Sequence, residues 1–177
     1  MAFQQQKLRE IVFQLLYSYD ISKADEEEMI TLIMKELEVS KKTVKIALEK
    51  VHKILEKKDE IDKLITKASL SYNFERIQTI ERNVLRVGTY ELLFDDTIPP
   101  KVAIAEAIRL SRKFGTPESA SFTNAIMDNI YKTSLGEKID ESNLSKTIDD
   151  LKKSEELANE AAKAAKEEKE NDADDNE

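Results

Sequence analysis

The stretch from Arg76 to Asp128, RIQTIERNVLRVGTYELLFDDTIPPKVAIAEAIRLSRKFGTPESASFTNAIMD, leaves the chain few ways to fold. Ile77, Ile80, Val84, Val87 and Leu92 recur at helical spacing, which predicts a helix from about Ile77 to Phe94. Asp95-Asp96-Thr97 breaks the pattern. Pro99-Pro100 suits entry into a second helix, because proline fixes φ and needs no N–H partner in a first turn. That helix, about Lys101 to Phe114, turns Ile104, Ala107, Ile108 and Leu110 inward, and Gly115 falls where a left-handed residue would close it. Thr116 as N-cap, Pro117 in the first turn and Glu118 at the positive end of the dipole then open a third helix. Its apolar stripe is Phe122, Ala125, Ile126 and Ile130.

The N-terminal part reads the same way. Leu8, Ile11, Val12, Leu15, Leu16 and Tyr19 mark a helix over residues 4–20. Asp20 to Glu28 is polar and reads as a loop, followed by a helix carrying Met29, Ile30, Ile33, Met34 and Leu37. Ser40 is a candidate N-cap for the next, with Val44, Ala47, Leu48, Val51, Ile54 and Leu55 inside. Ile61, Leu64, Ile65 and Ala68 predict a short helix starting near Asp59, and Tyr72-Asn73 is the next break. Three glycines and three prolines supply little turn chemistry for an all-β fold. The expected class is therefore all-α: a helical domain over 1–136 made of two packed bundles, about 1–72 and 73–136.

Beyond Ser134 the apolar residues thin out to Ile139, Leu144, Ile148, Leu151 and Leu157, and the chain ends NEAAKAAKEEKENDADDNE. Alanine, lysine and glutamate favour a solvated helix to about Glu170, with disorder expected from Asn171 to Glu177. Residues 137–177 form an acidic extension. They hold 7 lysines against 15 acids, whereas residues 1–136 hold 21 basic and 21 acidic side chains. The whole net charge of −8 thus lies in the extension. An electrically balanced body with local basic patches can bind RNA; a tail of this sign gives no help.

No catalytic constellation is legible. Zero cysteines remove thiolate chemistry and cysteine metal sites, and with a single histidine, His52 in VHKILEKK, zinc is not expected. Gly88, Gly115 and Gly136 are isolated, so there is no phosphate-binding glycine loop. Glu26-Glu27-Glu28 and Asp95-Asp96 are neighbours along a helix end and do not face one another. No cofactor and no metal are expected. No apolar run nears the roughly 20 residues that span a bilayer, and MAFQQQKLRE lacks an apolar leader segment. A cytoplasmic protein without a membrane partner is expected.

Several short motifs follow one another with little spare spacing. They are Glu81-Arg82-x-x-Leu85-Arg86, Tyr90-Glu91-Leu92, Ile98-Pro99-Pro100-Lys101-Val102-Ala103-Ile104-x-Glu106-Ala107, Phe114-Gly115 and Phe122-x-Asn124-x-x-x-Asp128. Arg9-Glu10 followed by Gln14-x-Leu16-Tyr17 opens the chain. Together, over about residues 3–134, they resemble the transcription antitermination protein NusB family. The resemblance implies a NusB-like helical fold and a non-enzymatic factor. Such a factor binds boxA-type RNA of ribosomal RNA leaders together with the small-subunit ribosomal protein NusE. It then acts in an RNA polymerase antitermination complex that reads through terminators.

The resemblance also implies RNA contacts from Lys7, Arg9, Arg86 and Lys101, and from Glu118, Ser119 and Phe122 at the start of the third helix of the block. Phe122 would stack a base there. Arg86 has a rival role as an internal strut to Glu106 or Glu118, and Phe122 as a buried core residue. The implied partner-facing residues are Glu75, Arg76, Glu81 and Arg82. Members of that family usually carry several arginines where this chain has Gln4-Gln5-Gln6. They commonly carry a basic residue in place of Ser121 and asparagine in place of Ala105. These departures keep open a protein-only interaction module of the same fold. The helical domain of an RNA methyltransferase is a third reading, which would need a cofactor domain and a catalytic cysteine. Monomer and homodimer are both compatible with the resemblance.

Overall fold

The computed structural model describes residues 2–22, 25–70, 72–139 and 141–174, with side chains from 4 through 165. Helix α5, Thr79–Leu93, is the axis of the body, enclosed by α1 (Ala2–Ile21), α3 (Lys41–Glu56), α4 (Lys58–Ala68), α6 (Pro100–Phe114) and α7 (Pro117–Ser134). Helix α2 (Glu26–Leu37) packs on α1 and α3 at the periphery, and α8 (Glu141–Asp174) packs on α7. A single 3-10 turn, Phe74–Arg76, leads into α5. Among the described residues there is no strand. Buried side chains from both halves form one continuous cluster.

A helix enclosed on all sides is usually apolar all round. α5 is not. Glu81, Asn83, Arg86, Thr89 and Glu91 are buried alongside Val84, Leu85, Val87, Tyr90 and Leu92. Burying a charge is costly unless it is paired, so neighbouring helices must supply partners. They do, and those pairs set the geometry described in the next subsection. Gly88 lets α6 and α7 close on α5: a Cβ there would lie 2.9 Å from the Ala107 Cβ and 3.0 Å from the Met127 side chain.

The helix ends follow local chemistry. Ser40 Oγ accepts the Thr43 N–H at 3.2 Å, and Thr116 Oγ1 accepts the Ser119 N–H at 3.1 Å. Pro100 and Pro117 occupy the first turns of α6 and α7. Asp25 caps α2, so the polar connection from α1 is shorter than the stretch Asp20 to Glu28.

Gly115 departs from expectation. Its φ of −117° and ψ of −142° are not left-handed. What excludes a side chain is space: a Cβ would sit 3.0 Å from the Ser111 carbonyl and 3.0 Å from Ser119 Oγ. Two further corrections concern the extension. Leu144, Ile148 and Leu151, one helical stripe, are buried against the body, so the first half of α8 is part of the packed structure. The helix also continues past Glu170 to Asp174, as its alanine, lysine and glutamate content favours; residues 175–177 lie outside the described residues.

Candidate nucleic-acid interface

The start of α1 lies along α6, and the contact is built from charge. Arg9 is 7% exposed, and its Nε donates to both oxygens of Glu91 at 3.1 and 2.8 Å. Lys50 of α3 donates to the same carboxylate, and Arg9 Nη1 is 3.6 Å from Glu106. Outside this buried knot, Glu10 accepts from Arg109 Nη1 and from Lys113 Nζ, each at 2.7 Å. Burial works against the Glu10 charge, but the hydrogen bonds from Lys113 and Arg109 outweigh it and hold the carboxyl below its ordinary range. Gln6 donates to Glu106 at 3.3 Å. Arg9 is therefore a buried strut between α1 and α5, not an open phosphate contact.

Arg86 is corrected in the same way. It is buried, with Nε and Nη2 each 2.8 Å from the two oxygens of Asp62 and Nη1 3.2 Å from Asp20 and 3.1 Å from Asn83. The strut exists, but its partners are on α4 and α1 rather than Glu106 or Glu118. A bidentate fork of this kind satisfies both carboxylate oxygens and fixes the relative orientation of the helices.

The start of α7 holds two more corrections. Phe122 is 0% exposed and meets Tyr72 edge-on, ring centroids 5.7 Å apart, so it offers no face to a base. Ser119 is buried, its N–H donated to Thr116 and its Oγ to Glu81. Glu118 stays half-exposed. Its carboxyl is held below the ordinary range by its own backbone N–H and the Thr116 hydroxyl, and it accepts from Ser154 of α8 at 3.3 Å. Among the residues expected to face a protein partner, Glu75 and Arg76 are exposed on the 3-10 turn. Arg82 is half-buried over the Phe74 ring and 3.6 Å from Asp20. Glu81 is 5% exposed and thus interior, because Ser119 gives it a donor inside.

Lys7 is half-buried and Lys101 exposed, and neither has an ion-pair partner among the described residues. Lys7 stands one turn before Glu10 on the same face of α1. Arg112 is the residue missed from sequence. It is exposed, unpaired among the described residues, and shares a stripe of α6 with Lys101, Ala105 and Ile108. The i, i+4, i+7, i+11 spacing was the available signal. Beside that stripe an open groove of about 380 Å³ runs between α6 and α7, lined by Ile108, Arg112, Pro117, Ala120, Ser121 and Asn124. It combines one cation, a hydroxyl, an amide and an apolar floor.

No group of three or more His, Cys, Asp or Glu side chains is placed to hold a metal ion among the described residues, and no described helix is long and apolar enough to cross a membrane. Fold and surface define an all-α helical-bundle protein, with most of its interior charges paired and with exposed Lys101 and Arg112 on α6 beside a polar groove to α7. Residues 6–132 match the NusB family. The chain is 39% identical over 132 residues to the transcription antitermination protein NusB of Chlamydia pneumoniae, covering 75% of this chain and 82% of that protein.

Its fold is similar to that of T. maritima NusB, with 33% identity and a TM-score of 0.63 over 79% of this chain and 96% of that one. It is also similar to a chain in a crystal structure of the antitermination factors NusB and NusE in complex with double-stranded RNA. There the identity is 25% and the TM-score 0.65, over 75% of this chain and 99% of that one. The chain belongs to the NusB family. Helix α8 begins beyond the residues matched.

Proposed function

We propose that this protein is a non-catalytic transcription antitermination factor. It binds single-stranded boxA-type RNA of ribosomal RNA leaders jointly with the small-subunit ribosomal protein NusE. It acts in an RNA polymerase complex that reads through terminators. Family membership across the helical body carries the proposal. The surface agrees in its chemistry. Lys7, Lys101 and Arg112 supply charge for phosphates, and the groove with Ser121 and Asn124 supplies polar contacts beside an apolar floor. Glu75, Arg76 and Arg82 form the mixed-sign rim assigned to NusE.

The interior commitment of Arg9 and Arg86 leaves few cations for RNA and so favours a second reading, a protein-only module. RNA titration with and without NusE separates the two. Weak binding alone and clearly tighter binding with NusE is expected, because each ligand then strengthens the other by the same factor. Equal affinity in both titrations would rule out joint recognition.

Lys101→Ala and Arg112→Ala are each expected to reduce the slope of log K against log salt by about 0.7, the value for one phosphate contact on a single strand. The measurement is RNA affinity across a salt series in the presence of NusE. An unchanged slope for both variants would move the RNA path off α6.

A further inference from the structure

Helix α8 turns back along α7. α7 ends at Ser134, α8 begins at Glu141, and Ser154 of α8 donates to Glu118 in the first turn of α7 at 3.3 Å. Leu144, Ile148 and Leu151 fasten α8 by apolar burial. Beside that stripe stand Asp150, Lys153 and Leu157, whose i, i+3, i+7 spacing puts them on one face of α8. That face and Pro117, Glu118 and Ser121 of α7 border an open groove of about 420 Å³. Asp150 and Lys153 are exposed, and neither has an ion-pair partner among the described residues. Leu157 is 67% exposed, a large apolar side chain left open beside a proline. Glu118 accepts from Thr116 and Ser154, which leaves a carboxylate with acceptor capacity to spare.

The groove continues another. Pro117 and Ser121 also line the groove between α6 and α7 that holds Arg112 and Asn124, so they form a ridge common to both. A strand lying along Arg112 and crossing Ser121 enters the space beside α8. One lysine against two carboxylates gives that space no general attraction for phosphates. Carboxylates accept from N–H donors, and on RNA those donors lie on the edges of bases.

We propose that the α7–α8 groove is a nucleobase subsite, in which α8 takes up one nucleotide flanking the RNA bound along α6. The inference rests on the RNA-binding reading above. Pro117 and Leu157 supply apolar walls for the ring, Asp150 and Glu118 accept from its edge, and Ser121 donates or accepts. Lys153 meets the phosphate outside. The chemistry selects a base with an exocyclic amino group. Cytosine donates from N4, whereas uracil, of nearly the same size, turns a carbonyl oxygen toward the carboxylates at that position. The α8 wall of the subsite lies outside the matched residues 6–132, so this selectivity comes with the chain's own extension.

The test is RNA titration in the presence of NusE. The probes are boxA-type RNA alone and the same RNA extended at one end, 5′ or 3′, by a few cytidines or by as many uridines. At one end only, the cytidine extension is expected to bind about fivefold tighter than the uridine extension, the low end for one base-edge contact. Asp150→Asn, whose amide donates to a carbonyl as readily as it accepts, should bring the two within about twofold. Lys153→Ala should reduce the salt slope by about 0.7 for the extended RNA and leave that of the unextended RNA unchanged. Equal affinity for cytidine and uridine at both ends, or a preference that survives Asp150→Asn, overturns the subsite. So does a change in NusE affinity on Asp150→Asn without RNA, which would give the groove to a protein partner. The unextended RNA separates the two readings. If it binds and no end preference appears, only the subsite fails; if it does not bind, both fail.

Discussion

Phe122→Ala is expected to lower the unfolding free energy by about 3–5 kcal/mol, the range for truncating a buried aromatic, while leaving the RNA affinity of the folded protein within about 0.5 kcal/mol. Phe122 is 0% exposed, and the same apolar cluster holds Tyr72, Ala125 and Ile126. Truncation removes the edge-on contact with Tyr72, 5.7 Å between centroids, and leaves a cavity beneath α7 that its neighbours can only partly fill. The check is a urea unfolding curve set beside an RNA titration at a temperature where both proteins are folded. An unchanged unfolding midpoint with an affinity loss of about 1–3 kcal/mol would restore a base-stacking role.

Glu91→Ala should cost a similar amount, about 3–5 kcal/mol, for a different reason. The Glu91 side chain is 1% exposed and receives hydrogen bonds from Arg9 of α1 and Lys50 of α3. Its removal leaves the Arg9 side chain, 9% exposed, with only the more distant Glu106 at 3.6 Å. Replacing Arg9 and Glu91 together by Met is expected to recover part of the loss, because an uncompensated buried charge costs more than an apolar pair of similar volume. Chemical denaturation of the single and double variants gives the coupling energy directly. Full additivity of the two changes would mean that the pair does not act as a unit. The pair also sets where Lys7 stands, since α1 is pinned to α5 two residues further on. A loss of RNA affinity in Arg9→Ala would thus report a displaced helix rather than a lost phosphate contact.

These pairs explain what was hard to read from the chain. Arg9 and Glu91 are 82 residues apart, Arg86 and Asp62 are 24 apart, and Glu81 and Ser119 are 38 apart. Nothing local marks such side chains as interior, and by composition each belongs on a surface. Arg112 shows the converse. It reads as an ordinary charge near the end of α6, yet only the placement of α7 beside it turns that charge into one wall of a groove. The docking of the first turns of α8 was legible in part, because Leu144, Ile148 and Leu151 keep helical spacing.

The number of helices in the central block, most of their ends, the apolar stripe of each and the family are legible in the order of residues alone. Those depend on interactions within about four residues: Thr116 and Ser40 reaching N–H groups three positions on, proline fixing φ, and side chains repeating at 3.6 per turn. Which charged and aromatic residues face water depends instead on how the helices pack. Whether a charge can be buried depends on an opposite charge brought to it by another helix, at close range and in a low dielectric. That is why Arg9 and Arg86 became struts and Phe122 became core, while Lys7, Lys101 and Arg112 stand unpaired among the described residues.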